Sequence, residues 1–367
     1  MLTGDPPHEE KRDGMTTVST TPGTTPVQPL PTPQPAMRLR EIVFGAARSA
    51  AVRAAVRLGV ADALGETPET AERLAAAVKT EAGPLRRLLR ALACYGVFTE
   101  NADGTFAHTD MSRLLREDDP NSLRAISLWC TEPWTWEVWP RLDDAVRTGG
   151  NVFEDVFGKE FFDYLHQDAH ESAQVFNAAM TTSSVQSALD VADLLDLTGV
   201  SVVADIGGGQ GHVLASLLEK HPSVRGTLMD LPGVIARADE RLREGGALAG
   251  RAGIVSGDCR EGIPVAADLY IIKNILEWDD DSTRRALRSV VAAARPGARV
   301  VVIENLVDDT PSMRFTTAMD LLLLLNVGGA KHTRQSLVDR LTEAGLRIDA
   351  VRPVNPYLHA FECVVPG

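Results

Sequence analysis

The sequence predicts an α/β fold: a doubly wound domain that follows an N-terminal α-helical domain of winged-helix layout. Beyond Leu195, candidate strands alternate with helices, which is the pattern of a mostly parallel sheet covered on both faces. The first strand runs into a glycine cluster, VVADIGGGQGH, and such a strand-to-helix turn is typical of nucleotide-cofactor sites. The seven candidate strands are Val202–Ile206, Gly226–Met229, Gly253–Ser256, Leu269–Ile272, Arg299–Glu304, Arg347–Val351 and Leu358–Val365.

The first residues of the chain carry many Thr and Pro and few large apolar side chains. Such a segment cannot build a core, so residues 1–36 are predicted to form a disordered tail. Met1 and Met15 both remain candidates for the true start.

A winged-helix layout is predicted for residues 37–115. Apolar residues recur at helical spacing from Met37 to Leu64, and two shorter helical segments precede two short strands around Asp103-Gly104. Those segments are Thr67–Ala77 and Pro84–Leu92, and the strands are Val97–Glu100 and Thr105–His108. Three arginines, Arg86, Arg87 and Arg90, would suit a DNA groove, but the formal net charge of −13 argues against nucleic acid as a partner.

Composition describes a globular protein of two domains. The chain has 367 residues, 44% of them hydrophobic and 24% charged, and no apolar run approaches the length of a membrane span. The N-terminus lacks the apolar core of a signal peptide, so we expect a cytoplasmic protein without a membrane partner. The four cysteines are scattered and form no C-x-x-C pair, so neither a metal site nor a disulfide is predicted.

Residues 116–195 are predicted to be helical and to act as a substrate-binding or linker region between the winged helix and a cofactor domain at 196–367. Most of the aromatic residues of the chain lie in this region. Aromatic side chains at helical spacing either fill a core or line an apolar ligand cavity, and the sequence leaves both interpretations open. The candidates for a substrate wall are Trp134, Phe153, Phe162, Phe176, Met180, Met319 and Leu323.

Side chains suited to a cofactor follow successive strands of the α/β domain. The glycines after Asp205 are spaced G-x-G-x-G, whereas dinucleotide sites show G-x-G-x-x-G. Asp230 ends the second strand, where a carboxylate accepts hydrogen bonds from ribose hydroxyls. Asp258 after the third strand suits an adenine amino group, with Cys259 against the ring, and Trp278 offers a flat surface. The candidates are Asp205, Gly207, Gly209, Asp230, Leu231, Asp258, Cys259, Lys273 and Trp278.

With these motifs the chain resembles the S-adenosylmethionine (SAM) O-methyltransferases of the caffeic acid and isoflavone type, including their actinobacterial relatives in mitomycin and anthracycline pathways. The resemblance runs from about residue 37 to the end. It rests on PLRRLLRAL, YGVF, VVADIGGGQGH, GTLMDLP, SGDCREGIP, DLYIIKNILEWDDD, ARPGARVVVIENLV and LLNVGGAKHT.

The resemblance implies a Rossmann-like methyltransferase domain and a winged-helix dimerisation domain whose first helices intertwine with a second copy. It also implies SAM as the cofactor, with Asp230 at the ribose and Asp258 and Cys259 at the adenine. Lys273 would hold the methionine end, and Trp278 would stack nearby.

The chain departs from this family where methyl transfer requires a base. The family has His in a Leu-His-Asp-Trp-type sequence, but this chain has KNILEW, with Leu276 two residues before Trp278. Of the two acids that orient that His, one is kept as Glu304, and the other is replaced by Lys331 in GGAKHT. The catalytic candidates that remain are Glu304, Glu277, Lys331 and His332.

Three interpretations follow. In the first, a small aromatic or enolic natural-product intermediate with an acidic hydroxyl is O-methylated by proximity and orientation. In the second, Lys331, His332 and Arg334 bind an anionic keto acid, carboxylate or prenyl diphosphate, and a Glu removes a proton while carbon or nitrogen is methylated. The alternative to this second interpretation is that Lys331 and His332 are solvated loop residues without a role in binding. In the third, SAM is bound but its methyl group is not transferred. For Glu277 the sequence favours a helix-capping role over that of a base.

Overall fold

The computed structural model describes residues 34–308, 311 and 313–367. The predicted tail therefore lies outside the described residues, except for positions 34–36. A helix begins at Pro35, so the last two residues assigned to the tail are helical.

The first helix is described by itself, because it belongs to a different unit of the chain from the residues after Ala46. Helix α1 spans Pro35–Val43 and has no buried residue. Its apolar side chains are exposed by about half or more, from 48% for Met37 to 72% for Val43. An apolar surface of this kind on one chain is typical of a helix that packs against a partner.

The N-terminal domain that follows has the predicted winged-helix form. Its helices are α2 (Gly45–Leu58), α3 (Val60–Ala63), α4 (Ala71–Val78), α5 (Ala82–Cys94) and α6 (Asp110–Arg113). Its antiparallel sheet has the order β1-β3-β2, with β1 at Glu69–Thr70, β2 at Phe98–Glu100 and β3 at Thr105–His108. Strand β1 was not predicted, because two residues are too few to show an alternating pattern.

A helical region connects the two domains. It contains α7 (Arg124–Trp129), α8 (Pro133–Val138), a 3-10 turn (Trp139–Arg141), α9 (Leu142–Thr148), α10 (Phe153–Phe157), α11 (Phe161–Gln167) and α12 (His170–Leu194). Rings of Trp134, Phe153 and Phe161 meet edge to face within 5.1–5.9 Å of each other and form the centre of this region.

The α/β domain contains all seven predicted strands and is the doubly wound fold expected. In chain order its elements are β4 (Val202–Ile206), α13 (His212–Lys220), β5 (Arg225–Asp230), α14 (Pro232–Ile235), β6 (Ala252–Ser256), β7 (Leu269–Lys273), α15 (Asp280–Ala293), β8 (Arg299–Glu304), α16 (Met313–Val327), α17 (Arg334–Glu343), β9 (Arg347–Pro353) and β10 (His359–Val364). The strand order is β6-β5-β4-β7-β8-β10-β9, parallel through β8, with β10 antiparallel to both neighbours.

Two cores lie on opposite faces of this sheet because neighbouring strand residues point in opposite directions. Leu214 and Leu217 of α13 pack with Val203 on one face. Leu287 of α15 and Leu337 of α17 pack on the other. The parallel strands therefore share one carboxyl edge, at which β4, β5, β6 and β7 present the predicted cofactor residues.

A buried ion pair ties α2 to the helical region. Arg53 Nη2 donates to Glu132 Oε1 at 2.9 Å, and the two side chains are 15% and 7% exposed. Ser172 on α12 donates its hydroxyl to the other carboxylate oxygen at 2.5 Å. Three segments that are distant in sequence thus meet at one carboxylate.

In the part of the chain that the structure describes, no helix combines the length and apolar character that crossing a membrane requires.

We expect Glu132→Ala to lower the free energy of unfolding by about 3–5 kcal/mol, because it leaves the Arg53 guanidinium buried without its carboxylate. Urea denaturation measures the change. Glu66→Ala is the matched control, because it removes a Glu–Arg pair whose side chains are 70% and 40% exposed. Its unfolding midpoint should stay near that of the wild type. Equal losses in the two variants would contradict this role for Glu132.

Candidate active site

The turn after β4 is shaped by its glycines. Gly207 and Gly209 both have φ of 62°, a left-handed conformation that side chains with a Cβ rarely adopt. A Cβ on Gly207 would lie 2.5 Å from Cδ1 of Ile275, in the loop after β7. The turn therefore lies directly against that loop, and only glycine fits at this contact.

Asp230 at the end of β5 fixes the same turn from the other side. Its Oδ2 accepts from the Gly209 amide at 2.8 Å, and its Oδ1 accepts from the Leu231 amide at 2.7 Å. Burial raises the pKa of Asp230, and the two amides oppose that rise. The carboxylate is thus held rigidly at the carboxyl edge of the sheet, where the sequence placed a ribose ligand.

A cleft opens at this edge and brings six of the nine predicted cofactor residues together. They are Gly207, Asp230, Leu231, Asp258, Cys259 and Trp278. Four further lining residues were not singled out from the sequence: Met229, Gly257, Arg260 and Ile275. Each of the four directly neighbours a predicted residue or lies in a motif that was recognised. Arg260, for example, follows Asp258 and Cys259 in the SGDCREGIP motif, and this position could have marked it as a cleft residue.

The loop after β6 supplies another wall of the cleft. Asp258 forms an ion pair with Arg260, whose Nη2 lies 2.7 Å from Oδ2, and the Arg260 hydrogen bonds lower the pKa of Asp258. The Arg260 guanidinium carbon lies 5.4 Å from the ring centroid of Trp278. Cys259 is 7% exposed, and burial raises the pKa of its thiol to about 11, so it offers a neutral apolar contact.

Asp205 and Lys273 lie behind the glycine turn. Asp205 is 1% exposed, and burial raises its pKa to about 7, although the Lys273 charge opposes the rise. Burial lowers the pKa of Lys273, and the charges of Asp205 and Glu304 partly restore it. A Cβ on Gly208 would lie 2.4 Å from Cγ of Asp205, so the backbone of the turn packs directly against this carboxyl group.

The donor set at this edge fits SAM. Gly209 has open space where a Cβ would lie, so a ligand can approach its backbone closely, and Asp205 Oδ2 is buried with no hydrogen-bond partner among the described residues. One carboxylate, at Asp230, lies where ribose hydroxyls are expected. Within the described ranges, no group of three or more His, Cys, Asp or Glu side chains is arranged to hold a metal ion.

The loop after β7 closes the site and buries Leu276 completely, at 0% exposed. Its amide donates to Glu304 Oε1 at 3.1 Å, and its carbonyl accepts from Thr283 Oγ1 at 3.1 Å. The segment that should carry a base therefore presents an apolar residue, and that residue points into the core rather than into the cleft.

Glu277, the next residue, forms a buried ion pair with Lys331 Nζ. The side chains are 14% and 9% exposed. Glu304 lies beside them at 1% exposed, and burial together with the Glu277 charge raises the pKa of Glu304 to about 8. This rise favours the protonated form of Glu304 near neutral pH. Asp320 Oδ1 accepts from the Lys331 amide at 2.6 Å and fixes that end of the pair.

Two members of the predicted positive site for an anionic acceptor, Lys331 and His332, are engaged within the protein. Lys331 is paired with Glu277, and His332 is 6% exposed, with burial lowering its pKa, so its ring is neutral. His332 Nε2 lies 2.7 Å from the Leu276 carbonyl and donates to it. The alternative of solvated loop residues is wrong, because both side chains are buried against the loop after β7.

The preferred capping role of Glu277 is wrong as well. Asp279 is the N-cap of α15, and its Oδ1 accepts from the amides of Asp281 and Ser282 at 3.0 Å. Glu277 lies two residues earlier, where its carboxylate reaches Lys331 instead of the helix terminus.

The candidate substrate wall divides into three groups. Trp134 and Phe153 are 2% and 0% exposed, so the structure buries both side chains and shows no ligand-facing surface on them. Close edge-to-face packing within the helical region accounts for their burial. Phe162 and Met180 are 46% and 36% exposed. The half-buried candidates are Phe176, Met319 and Leu323.

Comparison with known proteins gives two family matches. Residues 139–347 match the O-methyltransferase domain, and residues 40–118 match the O-methyltransferase dimerisation domain. The first match contains the whole cleft and the Glu277–Lys331 pair.

Similar proteins cover nearly the same length. The chain is 39% identical over 317 residues to the mitomycin biosynthesis 6-O-methyltransferase of Streptomyces lavendulae, covering 86% of this chain and 90% of the relative. It is 31% identical over 318 residues to the phenazine-1-carboxylate N-methyltransferase of Pseudomonas aeruginosa, with 86% and 93% covered. A solved structure of CalO1, a methyltransferase in calicheamicin biosynthesis, in its S-adenosylhomocysteine (SAH) bound form, matches with a TM-score of 0.80 and 34% identity, covering 90% and 98%.

We expect Asp230→Ala to weaken SAM binding by on the order of a hundredfold, since two hydrogen bonds to a charged acceptor are lost. Calorimetric titration measures the affinity. Asp230→Asn removes the negative charge but keeps the contact with the turn, because its amide oxygen still accepts from the Gly209 amide. Its affinity for SAM should lie between those of the wild type and Asp230→Ala. Glu240→Ala, at a side chain 92% exposed, is the control. Undiminished binding by Asp230→Ala would remove Asp230 from the cofactor site.

We expect Glu304→Gln to reduce the pH dependence of stability between pH 5 and 8. In the folded protein the pKa of Glu304 is about 8, whereas an unfolded Glu titrates near pH 4.3. The folded state therefore keeps a proton that the unfolded state releases. This contribution to stability is complete below about pH 4.3 and is lost as pH rises to 8.

Urea midpoints at several pH values measure this effect. The wild-type midpoint should fall more steeply with pH than that of the variant. Equal slopes would show that Glu304 ionises as easily in the folded protein as in the unfolded chain.

Proposed function

We propose that this chain, which belongs to the O-methyltransferase family, methylates an acidic hydroxyl of a small aromatic or enolic natural-product intermediate, mainly by holding donor and acceptor together. The chain is a SAM-dependent methyltransferase with a Rossmann-like catalytic domain, and its dimerisation domain indicates a homodimer. The exposed apolar face of α1 supports dimerisation through the N-terminal helices.

The cofactor is proposed to lie across the carboxyl edge of the sheet. The backbone of the turn at Gly207 and Gly209 approaches the cofactor closely. Asp230 accepts hydrogen bonds from the ribose hydroxyls, and Lys273 faces the methionine end. Asp258, Cys259 and Trp278 form the adenine subsite. When bound, SAM supplies an electrophilic methyl group on a positively charged sulfur. Binding orients this methyl group for an in-line approach by the acceptor.

The observation that carries the proposal is the ion pair between Glu277 and Lys331. Glu277 Oε1 accepts from the Lys331 ammonium, so this carboxylate is engaged in an ion pair. The raised pKa of Glu304 favours its protonated form near neutral pH. Leu276 is apolar, and the neutral His332 ring is buried against the Leu276 carbonyl. These contacts support the proposal that no side chain of this cluster removes a proton from an ordinary phenol.

We therefore propose that the acceptor hydroxyl is already ionised when it binds, so that its oxygen is the nucleophile without help from a base. A hydroxyl conjugated to a carbonyl as a vinylogous acid, as in a hydroxyquinone or the enol of a 1,3-dicarbonyl, is largely ionised near neutral pH and needs no base. The mitomycin relative, named as a 6-O-methyltransferase of an antibiotic pathway, supports a small natural-product acceptor. Phe176, Met319 and Leu323, half-buried, remain the proposed apolar contacts of that acceptor.

Nitrogen methylation is the second candidate. One similar protein is a phenazine-1-carboxylate N-methyltransferase. A ring or amine nitrogen with a free lone pair attacks the methyl group without prior loss of a proton, which suits a site with a neutralised Glu277.

We also propose that the domain limits are 37–115, 116–195 and 196–367, as the sequence suggested. All four cysteines are free thiols, and Cys94 is exposed, which supports a reducing cytoplasmic location.

We expect the double variant Glu277→Gln/Lys331→Met to keep SAM binding and to retain methylation within about tenfold of the wild-type rate, because neither residue moves a proton. Removing both charges avoids a lone buried ion. The assay follows transfer of labelled methyl from SAM to an acidic phenol or enol by mass spectrometry. Loss of a general base would instead lower the rate by about a hundredfold to ten-thousandfold.

Two controls complete this assay. Asp230→Ala should lose methylation through lost cofactor binding, and Glu240→Ala should behave as the wild type. A decrease of more than about a hundredfold in the double variant, with SAM affinity preserved, would show that the pair takes part in proton transfer.

A further inference from the structure

Arg260 holds the carboxylate of Asp258 through most of its acceptor positions. The Asp258 Oδ1 atom accepts from the Arg260 amide at 2.8 Å and from Nε at 3.0 Å. Its Oδ2 accepts from Nε at 3.0 Å and from Nη2 at 2.7 Å. A carboxylate offers about four lone-pair positions. Three N–H groups of Arg260 already point at these positions, that of Nε being shared by both oxygens, so a further donor competes with the guanidinium.

The same guanidinium lies over the ring of Trp278, with its central carbon 5.4 Å from the ring centroid. A planar cation over an indole face is attracted by the π electrons. Asp258, Arg260 and Trp278 all line the cleft at the carboxyl edge of the sheet. Arg260 thus lies inside the cleft and not on its outer surface.

These contacts are the ones that an adenine ring would need. Adenine is planar, it stacks on an aromatic surface, and its amino group donates to a carboxylate. The guanidinium of Arg260 is also planar, lies over the Trp278 ring, and donates to Asp258 through two side-chain nitrogens. One acceptor and one ring face cannot serve both groups fully.

We propose that Arg260 competes with the adenine ring of the cofactor for Asp258 and Trp278, and that this competition sets the affinity for SAM and SAH. The inference rests on the proposed cofactor site. In binding, the Arg260 side chain leaves Asp258 and rotates outward, while its backbone amide keeps the bond to Oδ1. The side chain of Arg260 is already 37% exposed, so solvent is available to receive the guanidinium.

The direction of the effect separates this proposal from the simpler alternative. If Arg260 builds the adenine subsite, for example as a second stacking surface, its removal weakens binding. If Arg260 competes, its removal strengthens binding, because the cost of displacing a charge-assisted, forked contact disappears.

The test is calorimetric titration of the full-length dimer with SAH, which has no charge on sulfur and is not turned over. Arg260→Met should bind SAH about threefold to tenfold more tightly than the wild type. Arg260→Lys keeps a cation but loses the fork, so its affinity should lie between the two. In stopped-flow mixing, association with Arg260→Met should be faster than with the wild type.

Arg285→Met is the matched control. Arg285 is exposed and its charge acts on Asp258, but no hydrogen bond joins them. This variant should bind SAH as the wild type does. That result would show that the paired hydrogen bonds from Arg260 to Asp258, and not a nearby positive charge alone, weaken SAH binding. Equal tightening in Arg285→Met would overturn the proposal.

Unchanged or weaker SAH binding by both Arg260→Met and Arg260→Lys would also overturn it. If Arg260→Met fails to fold, as judged by its melting transition, the direction of change in Arg260→Lys decides. Failure of the proposed function gives a different result: the wild type itself would not bind SAM or SAH.

Discussion

The buried ion pair between Glu277 and Lys331 is the interaction on which the active site depends. It joins the loop after β7 to the segment between α16 and α17, and the two backbones meet so closely that a Cβ on Gly329 would lie 2.0 Å from the Glu277 carbonyl. That contact keeps Leu276 in the core and places Ile275 against Gly207. The pair, the buried Leu276 and the contact of Ile275 with Gly207 thus belong to one packed arrangement beside the cofactor turn.

The same pair explains the chemistry that the site lacks. Removing either partner would leave a buried charge without compensation, so Glu277 and Lys331 stabilise the fold only together. Glu277 is engaged in this pair, which supports the proposal that it removes no proton, and its charge raises the pKa of the neighbouring Glu304. A site of this kind supplies orientation and an apolar environment, while the acceptor supplies reactivity.

Much of this arrangement could be predicted from sequence, because local patterns determine it. Strand alternation located all seven strands of the large sheet, and acids at strand ends identified Asp230 and Asp258 as members of one cleft. The Glu277–Lys331 pair was not predicted, because 54 residues separate its members and only the folded loops bring them together. Likewise, composition could not distinguish a core aromatic such as Phe153 from a cavity wall, because that depends on packing between helices.

The most direct measurement of the central claim is the pH dependence of kcat/KM for a series of hydroxylated aromatic acceptors whose pKa values differ by several units. If the enzyme supplies no base, the midpoint of each profile follows the pKa of the acceptor hydroxyl and shifts from one acceptor to the next. A single midpoint shared by all acceptors, and abolished by removing Glu277 or Glu304, would show that the protein itself takes the proton and would contradict the account.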